Sequence, residues 1–219
     1  YLGSAFKQAE IRDTLDQLKL SYETVDDVSE TAANLISDGE IVGWFQGRME
    51  GGPRALGNRS ILADPRSVES RDNVNKYVKH REEWRPFSPS MLYEEAEHYL
   101  EGNISKASYF MIDTYDTTPK AEDEIPAVLH PHDSTTRPQI VTQDRNERYY
   151  KLLQRIKEKT GIGVVLNTSF NDSGEPIVRT PREAIRDFYS MGMDALVLGD
   201  ILVRKPQSDI ADHSDAVTE

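Results

Sequence analysis

Cysteine is missing altogether from this 219-residue chain. Its absence removes disulfides, thiolate nucleophiles and thiolate metal sites at once, and a cytoplasmic setting is the expectation. No apolar stretch approaches the roughly 20 residues that a bilayer crossing needs, so no membrane partner is expected. No secretory signal pattern is legible either. Positive charge is scarce: 26 Lys and Arg stand against 38 Asp and Glu, a formal net charge of −12. A chain that coats nucleic acid needs a basic face to displace counterions from phosphates, so nucleic acid is not expected as a partner. Internal repeats are absent too. The first residue is Tyr1 rather than Met, which leads us to expect an excised portion of something longer.

What positive charge there is collects in one place. From Arg48 to Arg85 there are nine Lys and Arg against six Asp and Glu. Directly before that stretch, the apolar run Ile41-Val42-Gly43-Trp44-Phe45 empties into a loop that carries Arg48, Arg54 and Arg59 together with Gly47, Gly51, Gly52 and Gly57. Glycine lets a backbone approach a ligand closely, and the guanidinium fork matches phosphate oxygens as an ammonium point charge does not. The loop therefore reads as an anion pocket. The plain alternative is a set of surface arginines pairing with acids such as Glu50.

The rest of the chain interleaves helices and strands, which predicts an α/β or α+β domain. Ile11, Leu15, Leu18 and Leu20 form a helical stripe from Gln8 to Leu20. Asp26 or Asp27 caps a second helix carrying Ala32, Leu35 and Ile36 that stops at Gly39. Tyr93 to Leu100 suits a short helix, and Asp144 to Lys159 a longer one ending at Gly161 before the β-run Val164-Val165-Leu166. Thr180-Pro181-Arg182-Glu183 supplies an N-cap, a first-turn proline and a capping glutamate for a helix that buries Ala184, Ile185, Phe188 and Tyr189. Two short strands follow, Ala195 to Leu198 and Ile201 to Val203, then a frayed acidic tail from Pro206. Asp113 to Thr136, rich in Asp, Thr and Pro with little periodicity, reads as a long surface loop.

Three further constellations carry chemistry. Lys76, Lys79, Arg81 and Arg85 lie close in sequence, and spacing of three puts Lys76 and Lys79 on one helix face; a solvated helix end is the alternative. Asp133-Ser134-Thr135-Thr136-Arg137 is a polar turn with one arginine. Leu166-Asn167-Thr168-Ser169-Phe170-Asn171 ends a strand in short amide and hydroxyl donors, which suit phosphate or ribose oxygens or make an ordinary polar turn.

Taken together, Gly-Arg-Met-Glu-x-Gly-Pro-Arg-Ala-Leu-Gly-Asn-Arg-Ser-Ile-Leu, then Arg-Glu-x-x-Arg-Pro-Phe-x-Pro, then Leu-Asn-Thr-Ser-Phe-Asn-x-x-Gly-Glu-Pro-Ile-Val closely resemble the C-terminal domain of the carbamoyltransferases of nodulation-factor and antibiotic biosynthesis. The resemblance runs from about Leu2 to Lys205. It implies a YrdC-like twisted mixed sheet flanked by helices over residues 28–205, an N-terminal helical extension or linker over 1–27, and an acidic, disordered tail over 206–219. It also implies a preceding actin-like domain, which holds the acceptor and a metal ion and is a partner of this one. The YrdC-like part would bind ATP, with Mg²⁺, and carbamoyl phosphate, and form carbamoyl adenylate for that partner to transfer to a hydroxyl. No metal site is expected in this chain itself.

Carried onto this sequence, the resemblance places Arg54, Arg59, Lys79 and Arg85 as catalytic cations on the phosphates and the carbamoyl group. Arg48, Arg81, Arg137, Asn167, Thr168, Ser169 and Asn171 would bind substrate or nucleotide. Adenylation needs charge neutralisation more than proton transfer, so fixed cations are the expected machinery and His80 and His132 only weak proton-transfer candidates. Replacing Arg59 or Lys79 by Ala is then expected to cut adenylate formation while leaving stability nearly intact. The chain departs from the family pattern at Gly51, often an aromatic position, and at Ser134, usually a glycine. Two rival readings stand beside this one: a YrdC-type module that binds nucleotide or RNA without catalysis, and a docking domain.

Overall fold

The computed structural model describes residues 1–205 apart from Glu83. The expected tail over 206–219 lies outside the described residues. Among the described residues, eight strands form one mixed sheet: β1 (Glu23–Thr24), β2 (Val42–Phe45), β3 (Arg59–Ala63), β4 (Ser88–Leu92), β5 (Gln139–Val141), β6 (Val164–Ser169), β7 (Ala195–Leu198) and β8 (Ile201–Arg204). Their order across the sheet is β1-β8-β7-β2-β3-β6-β4-β5. β2 runs parallel to β7 and β4 to β5; every other pair is antiparallel.

Both faces of this sheet are covered, which is why its central strands read as nearly unbroken apolar runs. Along β2, β3 and β7 the side chains alternate between two cores. Val42, Trp44, Leu62, Ala195 and Val197 meet helices α2 (Val28–Ser37) and α6 (Glu147–Thr160) through Ala32, Leu35, Leu152 and Ile156. Phe45, Ile61, Leu196 and Leu198 share the opposite core with Ile11 and Leu15 of helix α1 (Gln8–Gln17) and Ile185 and Phe188 of helix α7 (Pro181–Ser190).

The helix starts follow their caps. Asp27 accepts from Ser29 and Glu30 N–H at 3.0 Å each, Asn146 accepts from Tyr149 N–H at 3.1 Å, and Thr180 with Glu183 closes a capping box on α7. α6 stops at Gly161, in the left-handed region at φ 82°. No helix among the described residues is long and apolar enough to cross a membrane.

Three expectations change. Residues 1–27, expected as a helical extension or linker, pack as part of the domain: Ile11 and Leu15 of helix α1 are buried in the main core, Phe6 packs on Phe45, and β1 extends the sheet by pairing with β8. The stretch from Asp113 to Thr136 is not an open loop. It holds a short helix, α5 (Pro119–Glu124), and buries Ala121, Ile125, Ala127, Val128 and Leu129, so its apolar residues anchor it despite their lack of period. Finally, helix α3 (Val68–Asn73) passes into a π-helical turn, Val74–Val78, in which Lys79 N–H reaches back to Val74 C=O. That extra residue rotates Lys79 inward while Lys76 stays exposed, so the two lysines do not share a face. A seventh helix, α4 (Tyr93–Tyr99), stands where it was expected.

Candidate functional site

Topology alone brings the four constellations together. β6 lies between β3 and β4 and runs antiparallel to both, so its C-terminal end meets their N-terminal ends: Ser169 opposes Ser60, and Asn167 opposes Ser88. β5 runs parallel to β4 and therefore starts at the same edge. The glycine-arginine loop enters β3, the lysine-arginine segment enters β4, Arg137 stands just before β5, and the Asn-Thr-Ser turn closes β6.

At that edge lies a cleft of about 530 Å³, counting its open mouth. Arg54, Arg81, Arg137, Asn167, Thr168 and Ser169 line it together with Ser88, Phe87 and Met111, and no Asp or Glu among the described residues contributes to its wall. Arg54 is exposed at the tip of the loop. Arg81 lies over the Phe87 ring at 4.6 Å and donates Nε–H to Asn75 Oδ1 at 2.7 Å. Arg137 reaches Ser88 Oγ at 3.5 Å, and its buried Nε has no partner among the described residues. Burial holds both Arg81 and Arg137 below the usual guanidinium value; Arg85 presses Arg81 down further, and Arg54 does the same to Arg137. Glu82, outside the cleft wall, partly offsets the charge on Arg81, and an anion in the cleft would repay the repulsion that remains.

The floor beneath is a buried polar network. Asn167 Nδ2 donates to Ser90 Oγ at 2.8 Å and to Ala55 C=O at 3.2 Å. Ser90 Oγ donates to Gln139 Oε1 at 2.7 Å, and Gln139 Nε2 to Leu56 C=O at 2.9 Å. These bonds lash the loop to three strands at once. Asn167 Oδ1 is buried beside the cleft without a partner among the described residues.

Five of the expected site residues lie elsewhere. Arg59 is fully buried on β3; its guanidinium donates to the carbonyls of Gln46 (2.5 Å), Asn58 (3.0 Å), Ser4 (3.2 Å) and Gly47 (3.3 Å) and stacks on Phe45 at 3.6 Å. Burial lowers it to about 10. Lys79 is buried behind the Asn-Thr-Ser turn, with Nζ donating to Ser169 C=O (2.6 Å), Asn171 C=O (2.9 Å) and Asn171 Oδ1 (3.2 Å). Burial, with Arg81 adding to it, lowers Lys79 to about 7. Asn171 braces the same turn, donating to Asp172 and Glu175 carbonyls at 3.0 and 2.8 Å. Arg85 is exposed and pairs with Glu82 at 2.8 Å, and Arg48, also exposed, donates to Leu2 C=O at 3.1 Å.

Neither His80 nor His132 lines the cleft. Ser134, at the family's glycine position, adopts φ 55°, a left-handed conformation in which glycine is unstrained. Ser88, Phe87 and Met111 were not anticipated as lining residues. The Arg-Pro-Phe-x-Pro motif contained a signal for the first two, because Ser88 follows its Phe, whereas Met111 arrives from a distant short helical turn.

Against known proteins, the family described as carbamoyltransferase C-terminus matches residues 33–205. The nodulation protein NolNO of Sinorhizobium fredii is 41% identical over 89% of this chain and 29% of its own length. The 3′-hydroxymethylcephem-O-carbamoyltransferase of Amycolatopsis lactamdurans is 33% identical over 75% of this chain and 31% of its own. The chain thus spans about a third of the length of these curated relatives. Full-length HypF, crystallised in a phosphate- and nucleotide-bound form, superimposes with a TM-score of 0.58 at 17% identity, covering 80% of this chain and 25% of HypF. That likeness concerns the fold, and the expected YrdC-like mixed sheet is the one found. With motifs, sheet and matched residues in agreement, the chain belongs to the carbamoyltransferase C-terminal family.

Proposed function

We propose that this domain is the activating half of a carbamoyltransferase, which binds ATP and carbamoyl phosphate at the cleft and forms carbamoyl adenylate. The observation that carries the reading is the gathering of Arg54, Arg81 and Arg137 around one cleft to whose wall no carboxylate among the described residues contributes. Carbamoyl phosphate first yields carbamate and phosphate by hydrolysis. A carbamate oxygen then attacks the α-phosphorus of ATP; as that P–O bond forms, the bond from the α-phosphorus to its bridging oxygen breaks and pyrophosphate leaves. Two anions must approach one another and a third must depart, so preorganised guanidinium groups lower the barrier where charge accumulates. Thr168 adds a hydroxyl donor; Ser169 Oγ, which donates to Asn171 Oδ1, remains an acceptor; and Asn167, fixed by its bonds to Ser90 and Ala55, orients the floor.

The residues present do not fit a resident metal. No group of three or more His, Asp or Glu able to hold one occurs among the described residues, and none of the cleft's lining residues is an acid. Mg²⁺ would therefore arrive on the phosphates of ATP, and we assign no step to it. Transfer to an acceptor hydroxyl belongs, in this reading, to an actin-like partner domain. Incubating the chain with ATP and carbamoyl phosphate tests the proposal: pyrophosphate and carbamoyl-AMP are expected in equal amounts. Tight ATP binding with no pyrophosphate would leave a nucleotide-binding module instead.

A further inference from the structure

The loop between β2 and β3 contains an acid that the phosphate reading does not use. Glu50 is 5% exposed, and its Oε1 accepts three backbone N–H groups: Leu56 at 2.7 Å, Asn58 at 2.8 Å and Arg59 at 3.1 Å. Three N–H dipoles converging on one oxygen make an anion nest of the kind that binds phosphate in other loops. Here the chain's own carboxylate fills it, so those backbone donors are not available to an external anion.

The consequence falls on Arg54. Gly51, Gly52 and Pro53 form a pliant bridge out from Glu50, with Gly52 at φ 145°, a conformation open to glycine. On the return side, Ala55 and Leu56 are fixed through Asn167 and Gln139. Arg54 thus hangs between a floor-bonded segment and a carboxylate-bonded one, and among the described residues it has no hydrogen bond or ion pair of its own to place it. We propose that Glu50 is a positioning residue for the cleft: an internal anion that closes the loop on itself and holds Arg54 over the ligand. It never touches the ligand. This inference rests on the phosphate reading of the cleft.

An emptied nest should accept a small carboxylate in place of the side chain, and chemical rescue tests that. Inorganic pyrophosphate is titrated calorimetrically into the wild-type chain, Glu50→Ala and Glu50→Gln, in potassium formate and in potassium chloride at equal ionic strength. Glu50→Ala is expected to bind pyrophosphate about tenfold or more weakly in chloride, the scale of one lost charge-assisted contact. Formate should restore most of that loss while leaving the wild type unchanged. Glu50→Gln, which keeps an acceptor oxygen but no charge, should fall between.

A folded Glu50→Ala that binds like the wild type, or that is weakened and gains nothing from formate, overturns the proposal. If Glu50→Ala folds only in formate, the nest is confirmed as an anion site. If it folds in neither salt, Glu50→Gln decides: weaker binding at an unchanged melting temperature supports the role, and equal binding refutes it. A wild-type chain that binds neither pyrophosphate nor ATP would instead sink the phosphate reading itself.

Discussion

Arg54 and Arg59 belong to one motif, five residues apart, and the fold gives them opposite tasks. Arg59 has no exposed surface, four carbonyls to satisfy and an aromatic ring beneath it. Arg54 is exposed and lines a cleft it shares with two other guanidinium groups. One face of the loop is finished by the protein, and the other is left for a ligand. Lys79 and Arg81 repeat the contrast two residues apart: the lysine ties the Asn-Thr-Ser turn from behind, and the arginine faces the cleft. A run of cations in a sequence is therefore two populations, separable only by which donors already have acceptors.

The sharpest way to break this comparison is to exchange the outcomes. Arg59→Met should cost more than about 3 kcal/mol or abolish folding, because four carbonyls lose their donor in the interior; urea denaturation reads it. A variant that unfolds at the wild-type midpoint would mean that Arg59 is not structural. This reverses the expectation that Arg59 could be removed at little cost to stability. Arg54→Ala should leave stability within about 0.5 kcal/mol but weaken pyrophosphate binding by roughly ten- to a hundredfold. Equal affinity would remove Arg54 from the site.

Lys79 gives a smaller, pH-resolved effect. Folding lowers its value to about 7, while the unfolded lysine keeps its proton up to the ordinary value near 10.5. Between those limits the unfolded chain binds more protons, so the contribution of this group to stability rises with pH from about 7 to 10.5 and is flat below. The difference in stability between wild type and Lys79→Met, followed across that window, should show the slope; a flat difference would mean that the buried ammonium keeps its ordinary affinity for protons. At the bottom of the scale, Arg85→Ala should change stability by less than about 0.5 kcal/mol, since its pair with Glu82 is half-exposed on both sides.

Much of the frame was legible because its signals are local. Caps at Asp27 and Thr180 and the apolar runs of β2, β6, β7 and β8 announce themselves within a few residues. β3 and β4 do not. The first begins at an arginine of the loop motif, and the second sets Pro89 between Ser88, which lines the cleft, and Ser90, whose hydroxyl belongs to the buried network beneath it. The membership of the cleft was partly legible as well: Arg54, Arg81, Arg137 and the Asn-Thr-Ser turn were named from motifs. Which cations point inward was not, since a single π-helical turn redirects Lys79 and carbonyls from three separate stretches capture Arg59.

The central claim is that the guanidinium groups lining the cleft, and not Arg59 on its carbonyls, meet the phosphates. A crystal structure of the chain with a non-hydrolysable ATP analogue tests it most directly. The account predicts phosphate oxygens within hydrogen-bond distance of Arg54, Arg81 or Arg137, above the Asn167–Ser169 turn, with Arg59 still on its four carbonyls. A nucleotide seated away from this edge of the sheet, or phosphates held by Arg59 after it has left those carbonyls, would contradict it.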